Sequence, residues 1–333
     1  MHHLLAEEKL CLDKLNRPLK ALRISITDKC NRKCSYCLPE NYALNRPFIK
    51  EDDYLSIPEI TSIARSFVKL GVDKIRITGG EPLLRPGVVE IVEDLSATAG
   101  VRDLSLTTNG LLLKRFARSL KSAGLGRVTV GIDISVDYSN ILTGLDEAKR
   151  VGFKNTKINV VIQRGLKQES LLKLTKYCRD NELILRFIEF MDAGNCNNWA
   201  PEEVISAESI IHWISYHFPL VASDSNYYGE VASRYKYKDG KGEIGIIASV
   251  TKPFCRDCTR ARISADGKFY NCLFASSGFD LKKALHSGLE GEALEETLSS
   301  LWAGRIDRYS EERQLFRNSG IKLKKVEMFQ IGG

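Results

Sequence analysis

The strongest constraint on this chain is a regular alternation of strand-like and helix-like segments. After a first long loop, apolar β-branched runs recur roughly every 25–30 residues with one amphipathic stretch between them, the pattern of βαβ units and a parallel sheet. Strands are predicted at 22–27, Lys74–Thr78, Asp103–Thr107, Val128–Ile134, Thr156–Ile162 and Ile184–Phe190. Helices are predicted at 58–71, 88–98, 112–123, 142–151 and 171–181. The first helix has Pro58 in its opening turn, Ile60, Ile63, Ala64, Phe67 and Leu70 on one face, and Gly71 as a stop. Six such strands predict an α/β protein built as an incomplete (β/α)6 TIM-type barrel. The period breaks near Met191. A loop (192–202), a helix (206–217, with Ser206 as cap), aromatic and β-branched runs (226–237, 243–250) and a mostly helical tail (280–318) follow. Residues 1–223 are therefore expected to form the barrel with an N-terminal extension. Residues 224–333 are expected to form a C-terminal region covering the barrel mouth.

Chemistry in such a barrel belongs at the C-terminal ends of the strands. Three motifs fall there: Cys30-Asn31-Arg32-Lys33-Cys34-Ser35-Tyr36-Cys37, Gly79-Gly80-Glu81-Pro82 and Thr107-Thr108-Asn109-Gly110. The first places three thiols at C-x3-C-x2-C spacing. Thiolates are the usual ligands of iron–sulfur clusters, and three ligands on a four-iron cube leave one iron open for chemistry. A structural zinc site wants a closed set of four, and no fourth Cys or His lies nearby. A second triplet, Cys255, Cys258 and Cys272, has C-x2-C-x13-C spacing and reads as another three-thiolate cluster site, or as zinc if His286 joined it. Six of the nine cysteines lie in these triplets. Clustered thiols without an apolar leader point to metal binding in a reducing compartment rather than to disulfides. Cys11, Cys178 and Cys196 read as core or surface thiols.

Glycines allow close backbone approach, so Gly79 and Gly80 are candidates to lie against a ligand, and the Glu81 carboxylate could hold an ammonium group. Arg260 and Arg262 alternate beside the second triplet, which on a strand puts both guanidinium groups on one face. Arginine suits bidentate phosphate binding; the bland alternative is a solvated edge strand. Arg23, Arg76 and Lys157 lie on barrel strands at positions that can point inward, where a buried charge needs a partner and a triphosphate would be one. A formal charge of +7 fits an anionic ligand. No run of about 18 apolar residues is present, so no membrane span is expected. The terminal Gly332-Gly333 is, by physics alone, an ordinary frayed end.

With both triplets in view, the chain resembles radical S-adenosylmethionine (SAM) enzymes, and among them the GTP 3′,8-cyclase family of molybdenum cofactor biosynthesis. The stretches that carry the resemblance are LRISITDKCNRKCSYCLPE, KIRITGGEPLLRPG, LTTNGLLL, KINVVIQRG, RFIEFMDAGN, FCRDCTRARISADGKFYNCLF and the terminal GG. The resemblance implies two [4Fe–4S] clusters, one on Cys30, Cys34 and Cys37, the other on Cys255, Cys258 and Cys272. The open iron of the first would chelate SAM, and reductive cleavage would release a 5′-deoxyadenosyl radical. The radical would take the 3′ hydrogen of GTP, and the ribose would close onto C8 of guanine, bound at the open iron of the second. Tyr36, Gly79, Gly80, Glu81, Gly131 and Met191 would contact SAM. Arg23, Arg76, Thr107, Lys157, Arg260, Ala261 and Arg262 would hold GTP, with the cluster cysteines, Arg260 and Arg262 at the catalytic centre. Gly332 and Gly333 would reach into the active site. The resemblance further implies a cytoplasmic enzyme, a flavodoxin- or ferredoxin-type electron donor, and a cyclic pyranopterin monophosphate synthase receiving the product. It implies no nucleic acid and no membrane, and leaves a homodimer open.

The chain departs from the family pattern in two places. The family usually reads Ser-Leu-Asp where this sequence has Gly131-Ile132-Asp133, and the segment that follows is shorter. Alternative readings are a peptide-modifying radical SAM enzyme with auxiliary clusters, a cyclase paralogue with impaired turnover, and a zinc or nucleic-acid-binding protein.

Overall fold

The computed structural model describes residues 10–45, 48–320 and 323–333. Its strands are β1 (Ala21–Ser25), β2 (Lys74–Thr78), β3 (Asp103–Thr108), β4 (Arg127–Gly131), β5 (Lys157–Ile162), β6 (Ile184–Glu189), β7 (Leu220–Ser223), β8 (Ser233–Tyr237), β9 (Glu243–Ile247), β10 (Arg260–Ile263), β11 (Lys268–Tyr270) and β12 (Phe279–Asp280). All belong to one sheet, in the order β12-β11-β10-β1-β2-β3-β4-β5-β6-β9-β8-β7.

Strands β1 to β6 are parallel neighbours in chain order. They are joined by helices Ile57–Lys69, Val88–Ser96, Leu113–Ser122, Ser139–Arg150 and Gln168–Asp180. The C-terminal region then adds a parallel strand to each side, β10 beside β1 and β9 beside β6. Antiparallel strands finish both edges. No hydrogen-bonded ladder joins β10 to β9, so the barrel stays open. The alternation along β1 shows how the sequence selects this arrangement. Leu22 and Ile24 face the helices and are buried in the main core with Ile75, Ile77, Ile60 and Phe67. Arg23 faces the lumen.

The strand polarity separates the two cysteine triplets. Cys30, Cys34 and Cys37 follow the C-terminal end of β1, whereas Cys258 precedes the N-terminal end of β10, which runs parallel to β1. The C-terminal region thus brings its triplet to the N-terminal ends of the strands. At about 3.3 Å rise per residue, the two triplets stand on the order of 15 Å apart along the lumen.

The helix expected from Pro58 begins at Ile57, because Ser56 caps it: its hydroxyl accepts the Glu59 N–H, and the Glu59 carboxylate accepts the Ser56 N–H at 2.7 Å. Among the described residues no helix is long and apolar enough to cross a membrane. Ser56→Ala is expected to lower stability by about 1 kcal/mol, read as a lower urea midpoint at unchanged slope.

Candidate functional site

The loop after β1 is shaped by the loop after β2. The Gly80 N–H donates to the Thr27 carbonyl and the Glu81 N–H to the Lys29 carbonyl, both at 2.8 Å. Gly79 has φ +151°, and a Cβ there would collide with the Thr27 carbonyl; one on Gly80 would collide with the Lys29 carbonyl. The glycines therefore permit a close approach of backbone to backbone, which sets the exit of the first triplet. Glu81 is fully buried. Its carboxylate accepts from Thr108 Oγ1 (2.7 Å), the Leu83 N–H (3.0 Å) and the Asn109 N–H (2.7 Å). Burial pushes it up to about 7 against these three donors. The carboxylate oxygens are thus taken by the protein and position the Thr107-Thr108-Asn109-Gly110 turn, which leaves the Glu81 backbone to face a ligand. Asn109, which the sequence reading left unassigned, donates toward Cys30 Sγ (3.8 Å) and to Asn31 Oδ1 (2.7 Å).

The thiols of the first triplet influence one another. Burial, then the charge of Asp133, pushes Cys34 up to about 11. Burial, then Cys34, Cys30 and Cys196, pushes Cys37 well above the usual thiol range. The Tyr36 hydroxyl is hydrogen-bonded to Cys34. Cys196 is part of this site: its thiol lies 3.3 Å from the Cys37 carbonyl and 3.1 Å from Glu327 Oε2. Cys178 is a core residue, and Cys11 is bonded to Ser299.

A cavity of about 190 Å³, open to solvent, lies beside the second triplet. Cys255, Cys258 and Cys272 line one end of it, and Arg23, Arg76, Thr107, Arg127, Arg186, Met191, Arg260, Arg262 and Gly333 line the rest. The strand register aligns the cations. Arg262 stands opposite Arg23, Arg23 opposite Arg76, and the row continues through Ser105 to Arg127. Higher up, Gly131, Asn159 and Arg186 form a second row. Like charges directly opposed on neighbouring strands are destabilising. Burial, then the charge of Arg262, pushes Arg23 well below its ordinary value. Burial and neighbouring arginines push Arg76 down to about 10, and Arg186 and Arg262 down to about 9. Lys157 is pushed to about 8 by burial, then by Arg186, Arg127 and Arg76. An arginine keeps its proton in a protein, so the repulsion stands as a cost until an anion arrives. Asp103 neutralises Arg127, and Arg260 Nε is buried without a hydrogen-bond partner.

The second triplet is embedded in this cationic wall. Burial would raise Cys258, yet Arg260 and Arg305 overcome it and hold the thiol at about 6. Burial and Asp307 push Cys272 up to about 12. Arg305 donates to Cys258 Sγ (3.3 Å) and to the Cys258 carbonyl (2.9 Å). Buried Arg17, paired with Asp13, donates from Nη1 to the Cys255 carbonyl at 3.0 Å. Among the described residues no three Cys, His, Asp or Glu side chains converge as a single metal ion requires. His286 instead bonds Glu59 at 2.7 Å, away from the triplet. Two sets of three thiols, neither gathered as a single metal ion requires and neither joined by a fourth protein ligand, fit iron–sulfur clusters better than zinc.

Comparison with known proteins decides the family. Residues 24–178 match the Radical SAM superfamily, and residues 183–311 match Molybdenum Cofactor Synthesis C. A GTP 3′,8-cyclase of Acidothermus cellulolyticus is 46% identical over 96% of this chain and 98% of its own. One of Staphylococcus epidermidis is 42% identical over the same shares. The chain belongs to the GTP 3′,8-cyclase family. Its fold is similar to that of Streptococcus suis SuiB, solved bound to S-adenosylmethionine (TM-score 0.60, 15% identity, 86% of this chain and 69% of that one).

Against the family pattern, the residues divide as follows. Arg23, Arg76, Thr107, Arg260, Arg262 and Met191 share the cavity. Lys157 lines an adjoining pocket that shares Lys74, Asp103, Arg127 and Tyr227 with it. Strand alternation turns the Ala261 side chain into the core, opposite to Arg260 and Arg262, so only its backbone can face the cavity. Gly131 ends β4, and a Cβ there would meet nothing closer than the Thr108 carbonyl at 3.9 Å. The family's serine would therefore fit this cyclase unchanged in backbone. The shortened segment is an ordinary connection (132–138) in which Asp133 caps Ser135 and Asp137 caps Ser139. β10 is interior to the sheet, which rules out the solvated-edge reading of its arginines. Arg186 went unnoticed in the sequence; its signal was a single charge at an inward position of an apolar strand.

Gly79→Ala is expected to cost about 1–3 kcal/mol through the collision with Thr27, read as a lower melting midpoint. Arg186→Met, which removes one opposed charge and keeps the volume, is expected to raise the nucleotide-free melting midpoint. A lower midpoint would mean that repulsion does not dominate there.

Proposed function

We propose that this protein is a GTP 3′,8-cyclase that converts GTP to (8S)-3′,8-cyclo-7,8-dihydroguanosine 5′-triphosphate, an early step of molybdenum cofactor biosynthesis. The observation that carries the reading is the lumen itself: opposed buried arginines in a cavity bounded by one thiol triplet and leading toward the other. In this reading residues 1–223 carry the SAM site and residues 224–333 the second cluster and the tail.

Cys30, Cys34 and Cys37 would hold one [4Fe–4S] cluster, and Cys255, Cys258 and Cys272 would hold a second. With SAM, the first cluster would supply radical chemistry for hydrogen-atom abstraction from the GTP ribose. The chain's own groups do the rest. Tyr36, Gly79, Gly80, Gly131, Met191 and the Glu81 backbone line the SAM end, where Gly79 and Gly80 set the loop and the Glu81 carboxylate locks its neighbour. Arg23, Arg76, Arg186 and Lys157 bind the triphosphate and relieve their mutual repulsion in doing so. Thr107, hydrogen-bonded to Arg76 at 3.1 Å, orients that guanidinium. Arg260 and Arg262 hold the substrate against the second triplet. The lumen keeps the reactive centres together. A flavodoxin- or ferredoxin-type protein would supply the electron and a cyclic pyranopterin monophosphate synthase would take the product. A homodimer is compatible with these roles.

The test is an anaerobic assay of reconstituted protein with SAM, GTP and a reductant, quantifying 5′-deoxyadenosine and cyclised GTP. Both products appearing together support the reading; 5′-deoxyadenosine without cyclised GTP points to another substrate. Arg262→Ala is expected to lower cyclised GTP by on the order of 10²-fold through substrate misplacement, while iron content is kept. Wild-type turnover in that variant would remove β10 from the substrate site.

A further inference from the structure

The chain ends inside the lumen. The Gly332 carbonyl accepts from Arg262, and from Arg23 Nη1 at 3.4 Å. A Cβ on Gly332 would collide with Thr78, so the last turn fits only as glycine. A terminal segment frays unless it is tied down, and the structure shows the tie. The short loop after β6, residues 192–196, grips residues 325–327.

Four of its five residues take part. Asp192 accepts the Lys325 ammonium at 2.8 Å, and the Asp192 carbonyl accepts it at 2.7 Å. Gly194 has φ +78°, and a Cβ there would collide with the Glu327 carboxylate. The Asn195 side chain accepts the Lys325 N–H at 3.1 Å and donates to the Lys325 carbonyl, while its own N–H donates to Glu327 Oε1 at 3.1 Å. The Cys196 thiol donates to Glu327 Oε2. Glu327, 5% exposed, then opens the helix Met328–Ile331, which delivers Gly332 to the arginines. The opposite side of the loop reaches both thiol sites. Cys196 contacts the Cys37 carbonyl. Asp192 also accepts Arg313 Nε (2.8 Å) and the Tyr309 hydroxyl, from the helix whose first N–H groups approach Cys255.

We propose that residues 192–196 with Lys325 and Glu327 form a clamp that registers the C-terminal tail between the two thiol sites. Asp192, Asn195 and Glu327 are positioning residues for the cyclisation, acting through Gly332 on Arg23 and Arg262. The positioning half rests on the cyclase reading of the cavity; the clamp does not.

Asn195→Ala and Glu327→Gln, in the full-length reconstituted protein, test it. Hydrogen–deuterium exchange over residues 328–333 is expected to speed up in both. The kcat for cyclised GTP is expected to fall about tenfold or more, with iron content and melting midpoint near wild type. Unchanged exchange would overturn the clamp. Faster exchange with wild-type kcat would overturn the positioning role, and lost iron or a large drop in melting would replace it with a structural one. If the wild type itself makes no cyclised GTP, the cyclase reading falls, and the exchange measurement alone decides the clamp.

Discussion

The structure depends on a buried repulsion. Parallel register brings Arg262, Arg23 and Arg76 side by side on three adjacent strands, with Arg186 across the lumen. Nothing in packing requires this; apolar residues at the same positions would fill the barrel at lower cost. The cost is borne by the outward faces of the same strands, where Leu22, Ile24, Ile75, Ile77, Leu185 and Phe187 are buried under the helices. A fold that keeps one face of its sheet so apolar can hold the other face charged, ready for a polyanion.

The two thiol sites follow from strand polarity. A loop after β1 and a loop before β10 must lie at opposite ends when the strands are parallel, and the arginine row bridges the gap. Each site is then fixed by backbone contacts rather than by its own side chains. Thr27 and Lys29 zip onto Gly80 and Glu81 at one end. Arg17 and Arg305 brace the carbonyls of Cys255 and Cys258 at the other. The tail, held by the loop after β6, occupies the space between.

Much of this was legible in the sequence. The strand Lys74–Thr78 could be bounded because a helix stop at Gly71 precedes it and Gly79 follows. The inward parity of Arg23 and Arg76 follows from apolar alternation around them. What could not be read has physical reasons. The alternation that turns Arg260 and Arg262 inward turns Ala261 outward, which the motif alone hides. The Glu81 carboxylate is engaged by Thr108 and Asn109, a contact between residues far apart in sequence. Arg186 is masked by the apolar run that surrounds it. The placement of β10 beside β1 joins segments more than 200 residues apart, and no local pattern encodes it. The grip of residues 192–196 on 325–327 is hidden for the same reason.

The central claim is that the opposed arginines exist to bind a triphosphate. The most direct test is calorimetric titration of the reconstituted protein with GTP, GDP, GMP and guanosine at low and high salt. The account predicts that affinity falls with each phosphate removed, and that GTP binding weakens as salt screens the charges. Guanosine binding as tightly as GTP, or GTP affinity indifferent to salt, would contradict it.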